Sequence, residues 1–285
     1  METLILGKGY VGSHLYKHFD QSADIISKSE LNYHDEETLY NFLLNSDIKT
    51  VISTVGFTGK PNVDQCEEKK EDCFKLNVIV PKIVENVCKA LDINLIHISS
   101  GCIYTGYDKI YTEEDTPNFG FYDRNSSFYS NTKHLSELIL DPSYTNIVRI
   151  RMPIEHKLTD KNLLTKLLKY DNIIDYANSK TDLKRLCEFV ETIKNNFKAG
   201  IYNAVHSKAL TTREVVKILK EYSLVNENWK FVPYETLKIT ANRSNCVLSN
   251  EKANKDFNFD FGDEEHYLRL NASLIQREKQ WLKKK

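Results

Sequence analysis

Short apolar, β-branched runs alternate with longer stretches of helical spacing through the first half of the chain. The strand candidates are residues 3–6, Ile25-Ile26, and residues 50–53, 94–98 and 147–150. Each is largely apolar, without a polar alternation, as suits a strand covered on both faces of a parallel sheet. Between them, residues 11–19, 35–45, 71–91 and 129–140 carry helical periodicity. In the third of these, Cys73, Leu76, Val80, Ile83, Val84, Val87 and Leu91 recur at three- and four-residue steps. Such alternation predicts an α/β fold with a doubly wound parallel sheet and right-handed crossovers. After Met152-Pro153 the pattern changes. Helices are expected over 160–169 and 182–197, and 200–205 reads as a further strand returning to the main sheet. The remainder is more polar, with a capped helix over 211–222 and another over 264–282. The expected organisation is a main domain over 1–153, rejoined by 182–206, and a smaller mixed α/β lobe from 154–181 and 207–285.

Composition narrows the function classes. The 285 residues, 41% hydrophobic and 28% charged, are enough for a sizeable core and unlike a disordered chain. Lys+Arg 39 against Asp+Glu 40 leaves a net charge of −1, so no global field draws the chain to nucleic acid or to an anionic membrane. The closing Lys283-Lys284-Lys285 reads as a solvated tail. No apolar run reaches the roughly 18 residues of a membrane-spanning helix. The N-terminus passes from its apolar stretch straight into a glycine turn, without the basic region of a signal peptide. Six cysteines, at 66, 73, 88, 102, 187 and 246, form no CxxC pair, which argues against structural zinc. The expectation is a cytoplasmic enzyme or binding protein without a metal or disulfides.

Gly7-Lys8-Gly9-Tyr10-Val11-Gly12 follows the first strand and opens a helix. In a Rossmann-like GxGxxG turn the first glycine permits the turn and the second lets a pyrophosphate approach the backbone. The third lets helix and strand pack closely. Helix N-terminal amides, from the Gly9, Tyr10, Val11 and Gly12 region, then face the phosphates. At the end of the second strand, Ser27-Lys28-Ser29 offers a cation where a 2′-phosphate would sit, which favours NADPH over NADH, with Lys28 as its contact. Lys28 also suits a solvated loop.

Tyr129 and Lys133 lie one helical turn apart on the same face. A nearby ammonium favours the phenolate, which would let the tyrosine exchange protons near neutral pH. Tyr176…Lys180 and Tyr234…Lys238 share the spacing, but only Tyr129 opens the helix after the fourth strand. Ser100 waits at that strand's C-terminal end, where open α/β sheets bind ligands.

Together, GxGxxG, a strand-end serine and Tyr-xxx-Lys resemble the extended short-chain dehydrogenase/reductase family across the whole chain. Longer strings narrow the resemblance: 59–67 (GKPNVDQCE), Gly101-Cys102-Ile103, 113–119, 128–133 and 149–154 (RIRMPI). They are similar to the bifunctional UDP-4-keto-6-deoxyglucose 3,5-epimerase/4-reductases of plants and their giant-virus relatives. The family's usual GxxGxxG is altered here, since Leu6 replaces its first glycine and Gly7 follows one position later. Nothing in the chain resembles the 4,6-dehydratase domain fused in some plant enzymes, so a separate 4,6-dehydratase would supply the substrate.

The resemblance implies NADPH-dependent conversion of UDP-4-keto-6-deoxyglucose to UDP-L-rhamnose. Cys102 falls where GDP-fucose synthase has its epimerase cysteine, and a lysine in the helix after RIRMPI maps to Lys166 as the opposite-face group. His156 is the rival for that role, with the better intrinsic pKa. Ser100, Tyr129 and Lys133 would serve the reduction, Arg243 the sugar-nucleotide diphosphate, and Asn62 the pocket wall. By analogy the enzyme would be a homodimer. The alternatives are a pure dTDP-4-dehydrorhamnose-type 4-reductase, a non-catalytic NADP-binding regulatory protein, and a UDP-sugar 4-epimerase that retains NAD.

Overall fold

The computed structural model describes residues 1–282, and the Lys283-Lys284-Lys285 tail lies outside them. Six parallel strands form the main sheet: β1 (Thr3–Leu6), β2 (Asp24–Ile26), β3 (Thr50–Ser53), β4 (Asn94–Ser100), β5 (Asn146–Ile150) and β6 (Gly200–Asn203), in the order β2-β1-β3-β4-β5-β6. The chain winds outward from β1 to β2, then crosses to the other side of β1 for β3. This reversal opens a crevice at the C-terminal ends of β1 and β3, the place where such sheets hold ligands.

Both faces of the sheet are covered, which is why its strands read as largely apolar runs. Ile5, Ile52, Ile96 and Val148 face α1 (Tyr10–Phe19) and a core built around Phe189. Leu4, Leu6, Val51 and Leu95 face the opposite layer, which includes α2 (Glu36–Leu44). Full burial of each such side chain contributes about 1.5–3 kcal/mol.

The helix expected over 71–91 is continuous but not uniform: after the short α3 (Gln65–Glu68) it runs through α4 (Lys70–Phe74), a π-helical segment (Lys75–Ile79) and α5 (Val80–Ala90). Pro81 is the cause: it has no N–H for the carbonyl of Asn77, and its ring crowds that carbonyl in α geometry. One wider turn resolves the conflict. Next comes α6 (Phe128–Ile139), between β4 and β5.

Beyond β5 the chain builds a second core. Ile154, Leu164, Leu167, Val215, Leu219, Leu268 and Ile275 pack together. They come mainly from α7 (Leu163–Lys169), α9 (Thr212–Glu221) and α11 (Glu264–Leu282). Thr211 and Glu214 close a capping box on α9. Between α7 and α9, α8 (Leu183–Asn195) packs back on the main sheet, as β6 does. The segment 251–261 also packs there, although the sequence places it with the lobe. Its helix α10 (Glu251–Phe257) contributes Ala253 and Phe257, followed by Phe259 and Phe261, whose rings lie 5.0–5.6 Å from Phe189 as does that of Phe257. Among the described residues no helix is long and apolar enough to cross a membrane.

Candidate active site

The glycine turn divides its work as the motif predicts. Gly7 adopts φ +103°, and its N–H donates to Ile26 O at 2.9 Å. A Cβ on Gly12 would lie 2.0 Å from Gly7 O, so only glycine allows that approach of helix to turn. A Cβ on Gly9 would meet no protein atom within 4 Å, leaving this face of the turn open. Helix α1 has no side-chain cap and no acidic residue in its first turn, so its free N–H groups remain for an anion. Tyr10 turns its ring onto His14, 5.0 Å between centroids, and Val11 packs on the core. These two residues therefore offer the turn only their main chain.

At the end of β2 the groups also fit a phosphate. Lys28 is exposed. The imidazole of nearby His34 is pushed down to about 4 by burial and by the charges of Lys28 and Lys75. Glu30, the one carboxylate of this turn, is engaged by the Ser27 N–H at 2.8 Å, the Ser27 hydroxyl at 2.6 Å and Lys8 at 2.5 Å.

Over the C-terminal end of β4, Ser100 and Tyr129 meet. Ser100 Oγ accepts the Cys102 N–H at 3.2 Å, and the Ser100 hydroxyl acts on the Tyr129 phenol, favouring its ionised form. The Tyr129 ring packs with Cys66, Cys73, Phe57, Val63, Phe128 and Cys102. Helix α6 is anchored at its start by the Ser127 cap, which accepts Ser130 N–H at 3.1 Å, and by Glu67, which accepts Phe128 N–H at 2.7 Å. Lys133 lies one turn along, 4% exposed.

The electrostatics correct one expectation. Burial pushes the Tyr129 phenol up, the neighbouring Cys102 thiol adds to the rise, and the Ser100 hydrogen bond opposes it. The strongest influences on the phenol do not include Lys133, whose own ammonium burial brings down to about 8. Raised by its own burial, the tyrosine stands protonated, a ready donor.

Asn77 escaped the sequence reading. Fully buried in the π-helical turn, it accepts Phe57 N–H at 2.7 Å and donates to Phe57 O and Thr132 Oγ1, both at 3.0 Å. It thereby ties the loop after β3 to α6. The only signal was Pro81, four residues later.

From the lobe, Lys166 is half-buried on α7. Burial lowers its pKa, helped by the charges of Lys161 and Arg243, while Cys102 opposes. His156 is exposed. Arg243 Nη2 donates to Asp64 Oδ1 at 2.9 Å, and the Asn62 side chain accepts the Asp64 N–H at 2.8 Å. Lys161 crosses the cleft to Thr58 Oγ1 at 2.8 Å and Gly59 O at 2.7 Å. The lysines of the two rival Tyr…Lys pairs do not reach this place, although the Tyr234 hydroxyl accepts the Arg243 N–H at 2.8 Å. Lys180 is buried in an ion pair with Glu264 at 2.7 Å, and Lys238 is exposed.

Comparison with known proteins agrees with this geometry. Residues 1–270 match the RmlD substrate binding domain family. A bifunctional dTDP-4-dehydrorhamnose 3,5-epimerase/dTDP-4-dehydrorhamnose reductase of Arabidopsis thaliana is 32% identical over 269 residues, covering 89% of this chain and 87% of that one. A trifunctional UDP-glucose 4,6-dehydratase/UDP-4-keto-6-deoxy-D-glucose 3,5-epimerase/UDP-4-keto-L-rhamnose-reductase of the same plant is 31% identical over 271 residues. That match covers 90% of this chain but 40% of the plant protein. The crystal structure of a UDP-rhamnose synthase from Acanthamoeba polyphaga mimivirus superposes with a TM-score of 0.86 at 23% identity, covering 95% of this chain and 99% of that one. On a match that spans nearly its whole length, this chain belongs to the RmlD substrate binding domain family.

Proposed function

We propose that this chain epimerises UDP-4-keto-6-deoxyglucose at C3 and C5 and then reduces its C4 ketone with NADPH, giving UDP-L-rhamnose. The observation that carries the reading is the meeting of Ser100, Cys102 and Tyr129 at the sheet's C-terminal edge. The reductase half also rests on membership of the family, and the epimerase half on the thiol.

In a 4-keto sugar the C3–H and C5–H bonds are acidic because both are α to the carbonyl. Inversion requires a base on one face of the ring and an acid on the other. Cys102 serves one face and Lys166 the other. Burial of Lys166 makes its ammonium a better proton donor than a solvated lysine. The Ser100 and Tyr129 hydroxyls donate to the oxyanion as the enolate forms. For reduction the same two groups hold the ketone oxygen, and Tyr129 gives its proton there. Bound NADPH supplies the hydride to C4. The open face at Gly9 and the uncapped start of α1 would hold its pyrophosphate, Lys28 its 2′-phosphate, and Lys133 its nicotinamide ribose. Arg243 takes a substrate diphosphate oxygen, and Asn62 shapes the adjoining loop. The ketosugar comes from a separate 4,6-dehydratase.

Incubation with UDP-4-keto-6-deoxyglucose and NADPH in deuterated water tests this. The expected product, by NMR, is UDP-L-rhamnose labelled at C3 and C5. Cys102→Ala should lose the label while still reducing a pre-epimerised 4-keto sugar. Reduction without any exchange in the unaltered protein would leave the pure 4-reductase reading instead.

A further inference from the structure

Arg151 stands one residue beyond β5 and is 1% exposed. A charge this deep is ordinarily paired. Arg149, two residues earlier, meets Glu137 at 2.7 Å. Among the described residues Arg151 has no carboxylate partner. Its guanidinium donates to Ser244 Oγ and Ser244 O, both at 2.8 Å, to Asn178 Oδ1, and to Gly101 O at 3.5 Å. Its Nε has no partner. The remaining contact is Nη1 to Cys102 Sγ at 3.5 Å.

The groups facing Arg151 that can become anionic are Cys102, Cys246 and Tyr107. Cys246 is fully buried among Ile103, Tyr104, Tyr111, Val205 and Leu248, away from the cleft. The Tyr107 phenol donates to Ala177 O at 2.7 Å. Cys102 alone is partly open and packed beside Tyr129. Other charges act around the pair: Lys133 and Lys166 face Cys102, and Lys180, engaged by Glu264, faces Arg151.

We propose that Arg151 is the fixed counter-cation of the Cys102 thiolate, a positioning residue that holds Sγ and stabilises its negative charge. This rests on the epimerase reading above. When the thiolate takes a substrate C–H proton, the S–H bond forms and the electron pair of the C–H bond passes into the enolate. Lys166 gives a proton to the other face of the same carbon, the thiol then releases its own proton to solvent, and the S–H electron pair returns to sulfur beside the guanidinium. An arginine keeps its charge at every working pH, whereas Lys133, at about 8, does not. The invariant charge therefore sits next to the atom that cycles between neutral and anionic.

The test is the rate at which iodoacetamide alkylates Cys102 in the intact, ligand-free protein at neutral pH, read site by site by mass spectrometry. The thiolate is the reacting form. Cys102 should react about threefold faster than cysteine in an unstructured peptide, the added thiolate being partly offset by its lower nucleophilicity, and Arg151→Gln should lose that advantage while Arg151→Lys regains part of it. An unaltered protein whose Cys102 reacts no faster than the peptide overturns the proposal, whatever the variants' folding. Equal rates in folded Arg151→Gln and the unaltered protein overturn it as well. The epimerase reading fails on a different result, deuterium uptake at C3 or C5 that survives Cys102→Ala.

Discussion

The two sides of the cleft are built differently. On the sheet side Ser100, Tyr129 and Lys133 are 4, 8 and 4% exposed. They stand on a seven-residue strand and a 12-residue helix whose first turn is held by Ser127 and Glu67. On the lobe side Lys166 rides a seven-residue helix, and Arg243 lies outside regular structure, held by a half-open pair with Asp64. Bonds join the sides at several points, among them Lys161 to the loop at Gly59, Asp64 to the Ala241 N–H and Arg243, and Arg151 to Ser244. The contrast follows the chemistry. Groups that act on one carbonyl oxygen need fixed positions, and rigid elements give them. Groups that receive a long, jointed sugar nucleotide gain from shorter elements that can adjust.

The contrast makes Tyr129→Phe the variant of largest effect. The ring keeps its packing against Cys66, Cys73 and Phe128, so stability should hold, while the sole loss is the donor. General-acid removal costs about 10²–10⁴ in rate. NADPH oxidation with the ketosugar should fall at least about a hundredfold in kcat, with KM little changed. A fall of only a few-fold would mean that another group protonates the ketone and that the sheet side is not the fixed half.

A smaller effect is expected from pH. Burial holds Lys133 at about 8, below its ordinary 10.5. Between these values the unfolded chain binds the proton that the folded chain has released, so this residue makes stability rise with pH across the window. Reduction should run the other way: in the proposed reaction the charged lysine is the form that would anchor the cofactor ribose, and kcat/KM should decline above about pH 8. Lys133→Arg should move that decline upward. A pH profile flat to pH 10 in the unaltered protein would detach Lys133 from the reaction.

Much of the sheet side was legible because its physics is local. Strands covered on both faces are mostly apolar, Gly7 and Gly12 each meet a separate steric demand, and Gly9 leaves its face of the turn open. Less was visible where a residue's meaning depends on a distant partner. The 71–91 periodicity hid the π turn, since apolar spacing persists through it, and with it hid Asn77. Phe257, Phe259 and Phe261 join the main core from a segment whose composition reads as lobe, because their partner Phe189 lies some seventy residues away in the chain. Tyr129 and Lys133 were found by spacing, yet their charge states follow from burial, which spacing does not reveal. Arg151 stood in view within RIRMPI as one arginine beside another. Only coordinates separate Arg149, paired with Glu137, from its neighbour against a thiol.

The smallest effect is expected at Asp64, the contact between the two sides. Burial pushes its carboxyl up, but the Ala241 N–H and the Arg243 guanidinium outweigh this and hold it below its usual range, so it is charged at neutral pH. Its charge therefore opposes any diphosphate approaching the same arginine. Asp64→Asn keeps an oxygen to accept the two hydrogen bonds while removing the charge. Partly exposed pairs are worth about 0–1 kcal/mol, so KM for the sugar nucleotide should fall by no more than about fivefold with kcat unchanged. Asp64→Ala, which loses the acceptor as well, should raise KM instead. If both variants raise KM alike, Asp64 orients Arg243 and does not compete for it. If either lowers kcat, the lobe side is as rigidly coupled to the chemistry as the sheet side.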